Sequence, residues 1–216
     1  MSKDKNDKQG KKDKEELFDV KLFGKWKFTD VNVKDDGIRD YINLKPVYFP
    51  RTYGKHARHR FHKNRMNIIE RLATHLMVPG HKGGKHFIYS GDNPAKFMRV
   101  LKVIENAFEK IEKKTNENPI AVLVKAIENS AMLEEVTSVQ VGSIMARNAV
   151  VTGPQRRVDK ALRNISQGVY KQTKGSKAKA KDVLAKELIA AYKNNPEKSQ
   201  AVKEKDRMER EAVGAR

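Results

Sequence analysis

The chain has no cysteine in its 216 residues. Disulfides, thiolate metal sites and a cysteine nucleophile are therefore excluded, and a cytosolic setting is the simpler expectation. It also lacks an apolar run approaching the roughly 18 residues that a membrane-spanning helix needs. Its first residues, MSKDKNDKQGKKDKEE, lack the apolar segment of a secretory signal. Serines are few, and none stands in a G-x-S-x-G elbow. No paired carboxylates and no His–carboxylate set fall in an apolar setting. Together these absences point away from a membrane protein, a disulfide-stapled domain and an enzyme, and no catalytic residue, metal or cofactor is expected.

Acid is scarce in two particular places. The formal net charge is +19, so the natural partner is a polyanion. Residues 51–65 carry Arg51, Lys55, Arg58, Arg60, Lys63 and Arg65 and no acid. Residues 154–181 carry nine basic side chains and one acid, among them Arg156, Arg157, Lys160, Arg163, Lys171, Lys174, Lys177 and Lys179. These two blocks supply +14 of the +19 in 43 residues. Charge serving solubility alone would be spread; charge this concentrated reads as a binding footprint. In the first block Tyr53 and Phe61 interleave with the cations, and planar rings stack on unpaired bases. His56, His59 and His62 sit there too, but neither a carboxylate nor a thiol accompanies them, and the surrounding cations repel a metal.

The stretch 131–174 organises the rest. Its first half is rich in Val, Thr, Ser and Ala around Gly142-Ser143, which predicts a β-hairpin at about 134–152. Thr152-Gly153-Pro154 then opens a helix with the apolar stripe Val158, Ala161, Leu162, Ile165 and Val169. Two adjacent arginines, Arg156 and Arg157, fall in its first turn.

Three parts of the domain organisation follow. Residues 1–16 alternate Lys with Asp and Glu and predict a disordered tail, because nothing apolar offsets the ordering entropy. Residues 17–65 form an N-terminal arm that ends in the first basic block. Its aromatics Phe18, Phe23, Trp26 and Phe28 suit a strand or an extended arm, packed on the domain's own core or on a neighbouring macromolecule. Residues 66–216 form a mainly α domain with apolar stripes at helical spacing. The first is Ile68, Ile69, Leu72, Leu76 and Met77; the second is Phe97, Val100, Leu101, Ile104, Phe108 and Ile111. The third is Ile120, Leu123, Val124, Ile127 and Ala131. Asn93-Pro94 and Asn118-Pro119 read as helix starts. Glu105, Glu109 and Glu112, beside Lys102, Lys110 and Lys113, read as a solvated helix face. Between two helices, residues 78–94 are rich in Gly and Pro. The GHKGGK there is one residue short of a phosphate loop and lacks its Ser or Thr.

Several of these pieces share a known pattern. LFGKW at 22–26, DYI at 40–42, IIERL at 68–72, ENP at 117–119, VG at 141–142 and PQRRVDKAL at 154–162 resemble the small-subunit ribosomal protein seven family. LFGKW and DYI are similar to its archaeal and eukaryotic branch, called protein five in eukaryotic small subunits. The resemblance runs from about Leu17 to Arg216 with its motifs in order.

The resemblance implies a six-helix, bundle-like core with one protruding β-hairpin and an extended basic N-terminal arm. It implies primary binding to the 3′ major domain of small-subunit rRNA, nucleating assembly of the head. Neighbouring head and platform ribosomal proteins would be partners. The hairpin would lie near the exit tRNA site and the mRNA path, placing Val141, Gly142, Ser143, Ile144, Met145 and Arg147 there. Arg156 and Arg157 match the family's basic pair after the second strand and would pair with phosphates. Many members carry arginines at the hairpin tip and a Gly-Gly turn. Here the turn is Gly142-Ser143 and the nearest arginine is Arg147, so contact with bases, sugar edges or a neighbouring protein replaces charge. A DNA-binding architectural protein is the alternative that the charge alone allows.

Overall fold

The computed structural model describes residues 20–29, 31–79 and 96–216. The expected tail at 1–16, Phe18, GHKGGK and the Asn93-Pro94 cap lie outside the described residues. Within them are seven α-helices and one two-stranded sheet. The helices are α1 (Asp36–Arg39), α2 (Ile68–Met77), α3 (Phe97–Thr115), α4 (Pro119–Ser130), α5 (Pro154–Thr173), α6 (Ala180–Tyr192) and α7 (Gln200–Val213). The strands are β1 (Glu134–Val141) and β2 (Ile144–Val151). Six helices have ten or more residues, as the six-helix expectation requires, and α1 is a single turn.

The helix starts follow local chemistry. The Asn67 side chain accepts from the Ile69 N–H at 3.0 Å and opens α2; Asn118 accepts from Ile120 at 3.0 Å and opens α4. Pro154 stands at the first position of α5 behind Gly153. Val158, Ala161, Leu162, Ile165 and Val169 of α5 are all buried. They meet Leu101, Ile104, Phe108 and Ile111 of α3, the α4 stripe, and Val183, Leu184 and Leu188 of α6 in one core. Each such Val, Leu, Ile or Phe side chain stabilises the fold by about 1.5–3 kcal/mol through burial. α5 approaches the start of α7 closely at Gly168, where a Cβ would stand 3.0 Å from Gln200 Cβ. Beside it the buried Glu187 accepts from Ser199 Oγ at 2.9 Å and from the Ala201 N–H at 3.1 Å. Burial pushes the Glu187 carboxyl up, against those hydrogen bonds. The mostly charged α7 is therefore anchored by its first turn and by Ala212 while its other face stays in water.

At 20–29 and 31–44 the arm packs on the domain's own core, as one of its two expected placements has it, and forms a tight turn rather than a strand. Leu22 and Trp26 close a tight turn, with Leu22 N donating to Trp26 O at 2.7 Å. Leu22, Trp26, Phe28, Val33, Ile38 and Ile42 enter the common core. The Trp26 ring meets Phe108 edge-on at 5.7 Å, and its Nε1 donates to Glu112 Oε2 at 3.1 Å. Lys25 Nζ bonds Glu105 and Glu109, each at 2.6 Å, and those bonds hold its ammonium above the usual range. The acidic face of α3 is thus a dock for the arm rather than an ordinary solvated face. Helical spacing located the acids correctly but could not identify a partner some eighty residues away in sequence.

The hairpin matches its expected range. β1 and β2 pair antiparallel from Glu134↔Val151 to Val141↔Ile144. Gly142 has φ +62 at the first central position of the two-residue turn, a conformation that glycine adopts without steric cost. The base of the hairpin rests on α7, where the Leu133 N–H donates to Glu209 Oε1 at 3.0 Å and Arg216 pairs with Glu134. The far end projects, leaving Ile144 at 71% and Met145 at 61% exposure.

Candidate nucleic-acid interface

The first basic block is a series of turns rather than a helix, closed by a 3-10 turn at His62–Arg65. It is pinned at both ends. The Thr52 N–H and Oγ1 donate to the buried Glu70 of α2 at 2.8 and 2.9 Å. Asn43 Nδ2 donates to Arg65 O at 2.7 Å. Lys55, Arg58, Arg60 and Arg65 are exposed, and Arg51 is half-buried. The Arg51 guanidinium lies 4.1 Å from the Tyr53 ring centre and 5.3 Å from that of Phe97. His56 and His59 fall in turns, and no group able to hold a metal ion occurs among the described residues.

Lys63 is turned inward. Its Nζ bonds Asp159 Oδ2 of α5 at 2.9 Å. Arg71, only 2% exposed, bonds Asp159 Oδ1 at 3.0 Å and Tyr41 O at 2.7 Å, and His75 Nε2 stands 3.7 Å from the same carboxylate. Burial alone would raise the Asp159 carboxyl; the imidazole, ammonium and guanidinium around it outweigh burial and hold it well below the usual carboxylate range. Asp159, the single acid of the second block, therefore joins both blocks and α2 at one point. Sequence reasoning missed this role, although a lone acid in a basic run was its visible signal.

The two adjacent arginines divide. Arg156 is exposed and forks onto Glu135 of β1, with Nε at 2.5 Å and Nη2 at 2.8 Å. That pairing holds its guanidinium above the usual range. Arg157 faces inward and is 8% exposed. Its Nε donates to Met132 O at 3.1 Å and its Nη2 to Asp35 Oδ2 at 2.7 Å. Arg157, expected to pair with phosphate, is thus turned toward the core: it lies one helical turn before Ala161 and next to Val158, both buried, whereas Arg156 lies about 100° further round the helix toward solvent. Arg157 instead ties the arm to the junction of α4 and β1.

Lys160 is half-buried and Arg163 exposed. Partial burial lowers the Lys160 ammonium, and the neighbouring Arg156 lowers it further. Lys171, Lys174, Lys177 and Lys179 are all exposed at the end of α5 and in the loop before α6, with the Lys174 ammonium 5.7 Å from the Tyr170 ring centre. At the hairpin tip Gly142, Ser143, Ile144, Met145 and Arg147 all stand exposed. Val141 pairs with Ile144 across the turn.

A groove of about 540 Å³ lies where the two blocks meet. It is lined by Tyr41, Phe61, Lys63 and His75, and by Gly153 through Arg156, Asp159, Lys160 and Arg163. Two segments almost a hundred residues apart in sequence thus present cations to one cleft. No helix among the described residues is long and apolar enough to cross a membrane.

This arrangement defines a mainly helical protein in which two basic blocks meet at one groove. Comparison with known proteins gives the family. The sequence model of Ribosomal protein S7p/S5e matches residues 38–216. Small ribosomal subunit protein uS7 of Nanoarchaeum equitans is 46% identical over 197 residues, covering 91% of this chain and 99% of the relative. The protein of the same name from Methanococcoides burtonii is 44% identical over 196 residues, at 91% and 99% coverage. That from Methanococcus vannielii is 42% identical over 203 residues, at 94% and 99%. The chain belongs to the ribosomal protein S7p/S5e family.

Proposed function

We propose that this chain is a structural, non-enzymatic constituent of the small ribosomal subunit that binds small-subunit rRNA and packs beside neighbouring ribosomal proteins. Its nearly full-length relatives carry the name of a small ribosomal subunit protein, which supports the assignment. The observation that carries the RNA reading is the groove at which Arg156, Lys160 and Arg163 of the second block meet Phe61 and the Asp159-bound Lys63 of the first. Within the subunit the partner is the 3′ major domain of the rRNA, and binding there nucleates the head. Recognition rests on phosphate geometry at a junction, because the cations sit on a fixed helical frame and read shape rather than a linear sequence. Arg51, Lys55, Arg58, Arg60, Arg65, Lys171, Lys174, Lys177 and Lys179 extend the same footprint beyond the groove.

The hairpin has a different task in this reading. Its projecting end is apolar at Ile144 and Met145, with Arg147 as the tip's cation. Such a surface suits bases, sugar edges or a protein neighbour, in line with a position beside the exit tRNA and the mRNA path.

The test is a salt series of binding to a transcript of the small-subunit 3′ major domain, with duplex DNA of equal length as competitor. A preference for the transcript that persists near physiological salt supports the reading. Equal binding to both overturns it in favour of a general DNA-binding architectural protein.

A further inference from the structure

Phe61 is the odd residue of the groove. It is 62% exposed, although large apolar rings are normally buried. Its backbone lies at φ +55, a left-handed conformation uncommon for any residue but glycine and costly for a bulky one. Such a conformation persists where the surroundings enforce it, and here they do. Asn64 N donates to Phe61 O at 3.0 Å, and the 3-10 turn that follows is fastened to α5 through Lys63 and Asp159 at 2.9 Å. The ring is held in place without serving the core, and it lines the same groove as Arg156, Lys160 and Arg163. The Arg60 guanidinium lies 5.8 Å from the ring centre.

We propose that this groove seats a single unpaired RNA nucleotide, its base stacked on Phe61 and its phosphate held by Arg156, Lys160 and Arg163. The proposal rests on the RNA-binding reading above and adds a specific ligand to it. The volume of about 540 Å³ is in the range that takes a small organic ligand. The lining offers what a nucleotide needs: an exposed aromatic ring and three cations in one groove. Stacking on an aromatic ring tolerates any base, because each base has a π-face, while the cations fix the backbone. Asp159 does not repel the phosphate strongly, because Lys63 and Arg71 already neutralise it. Lys63, an expected phosphate ligand, acts here as a positioning residue for Phe61.

The experiment compares the intact chain with Phe61→Leu and Phe61→Trp on the 3′ major domain transcript, measuring affinity over a salt series and base reactivity of the bound RNA. Phe61→Leu is expected to weaken binding about tenfold at every salt concentration, because stacking is lost while phosphate contacts remain. The slope of log affinity against log salt stays at the value of the intact chain. One unpaired nucleotide protected by the intact chain and by Phe61→Trp becomes reactive with Phe61→Leu. The thermal midpoint stays unchanged, since the ring is outside the core. Affinity and protection unaltered by Phe61→Leu would overturn the seat while leaving the ribosomal reading intact. Failure of the intact chain to prefer the transcript over duplex DNA would overturn both. A free nucleoside monophosphate at millimolar concentration is the last arm. If it displaces the transcript from the intact chain as it does from Phe61→Leu, the seat is overturned; selective loss of the Phe61-dependent component supports it.

Discussion

The start of α5 and the loop that follows α5 are equally basic in sequence, and the structure uses their charge in opposite ways. At the helix start, Arg157 is buried between Asp35 and Met132, and Asp159 collects Lys63 and Arg71. These cations are parts of the fold before any RNA arrives. At the end of the helix and in the loop, Lys171, Lys177 and Lys179 are exposed, and so is Lys174 beside Tyr170. Charge density along a sequence therefore locates a footprint without saying which cations form its surface and which fix its shape. Substitution separates the two uses: the inward-facing cations should respond in stability, the exposed ones in salt dependence.

Arg157→Ala sharpens the contrast most. It leaves Asp35 and the Met132 carbonyl without their partner, and removing one member of a largely buried pair costs about 3 kcal/mol. Chemical denaturation should show that loss. A variant as stable as the parent would break the comparison.

Asp159→Asn comes next, at about 2 kcal/mol near neutral pH, because Arg71 loses its carboxylate inside the protein. This effect depends on pH. The folded-state carboxyl titrates below its ordinary value, so its charge stabilises the fold fully above roughly pH 4 and progressively less as pH falls through the lowered value. The parent should lose stability steeply on acidification while Asp159→Asn gives a flatter curve; parallel curves would refute the role given to Asp159.

Gly142→Ala is smaller, about 1 kcal/mol, because a Cβ is strained at φ +62. Its effect should stay in the hairpin and be read as faster amide exchange across β1 and β2, with RNA affinity unchanged.

Smallest in stability is the joint replacement of Lys171, Lys174, Lys177 and Lys179 by Ala, which should leave the unfolding midpoint within about 0.5 kcal/mol. Its effect belongs to binding: the slope of log affinity against log salt should fall by roughly 0.7–0.9 for each phosphate contact removed. An unchanged slope would place these lysines outside the footprint.

Periodicity and punctuation made most of the fold legible. The α5 stripe, the Asn118-Pro119 start and the hairpin around Gly142-Ser143 all stand where local pattern places them, since each depends on neighbours within a few residues. Long-range partners were not legible. Nothing local told that Glu105 and Glu109 would hold Lys25, or that Glu70 would be buried to receive Thr52. The same limit applies to the interface. The basic blocks are visible in composition, but the inward turn of Arg157 follows from its place beside Val158 on the buried side of a helix. The groove, too, is lined by residues far apart in sequence, with Lys63 reaching Asp159 across 96 positions.

The central claim, that the surface cations of α5 and the first block grip rRNA together, is tested most directly by one measurement. The salt slope of binding to the 3′ major domain transcript is compared between the intact chain and the triple variant Arg156→Ala, Lys160→Ala, Arg163→Ala. The account predicts a slope reduced by roughly 2–3, with affinity falling at low salt far more than at high salt. A slope equal to that of the intact chain would show that this face does not meet RNA phosphates and would contradict the account.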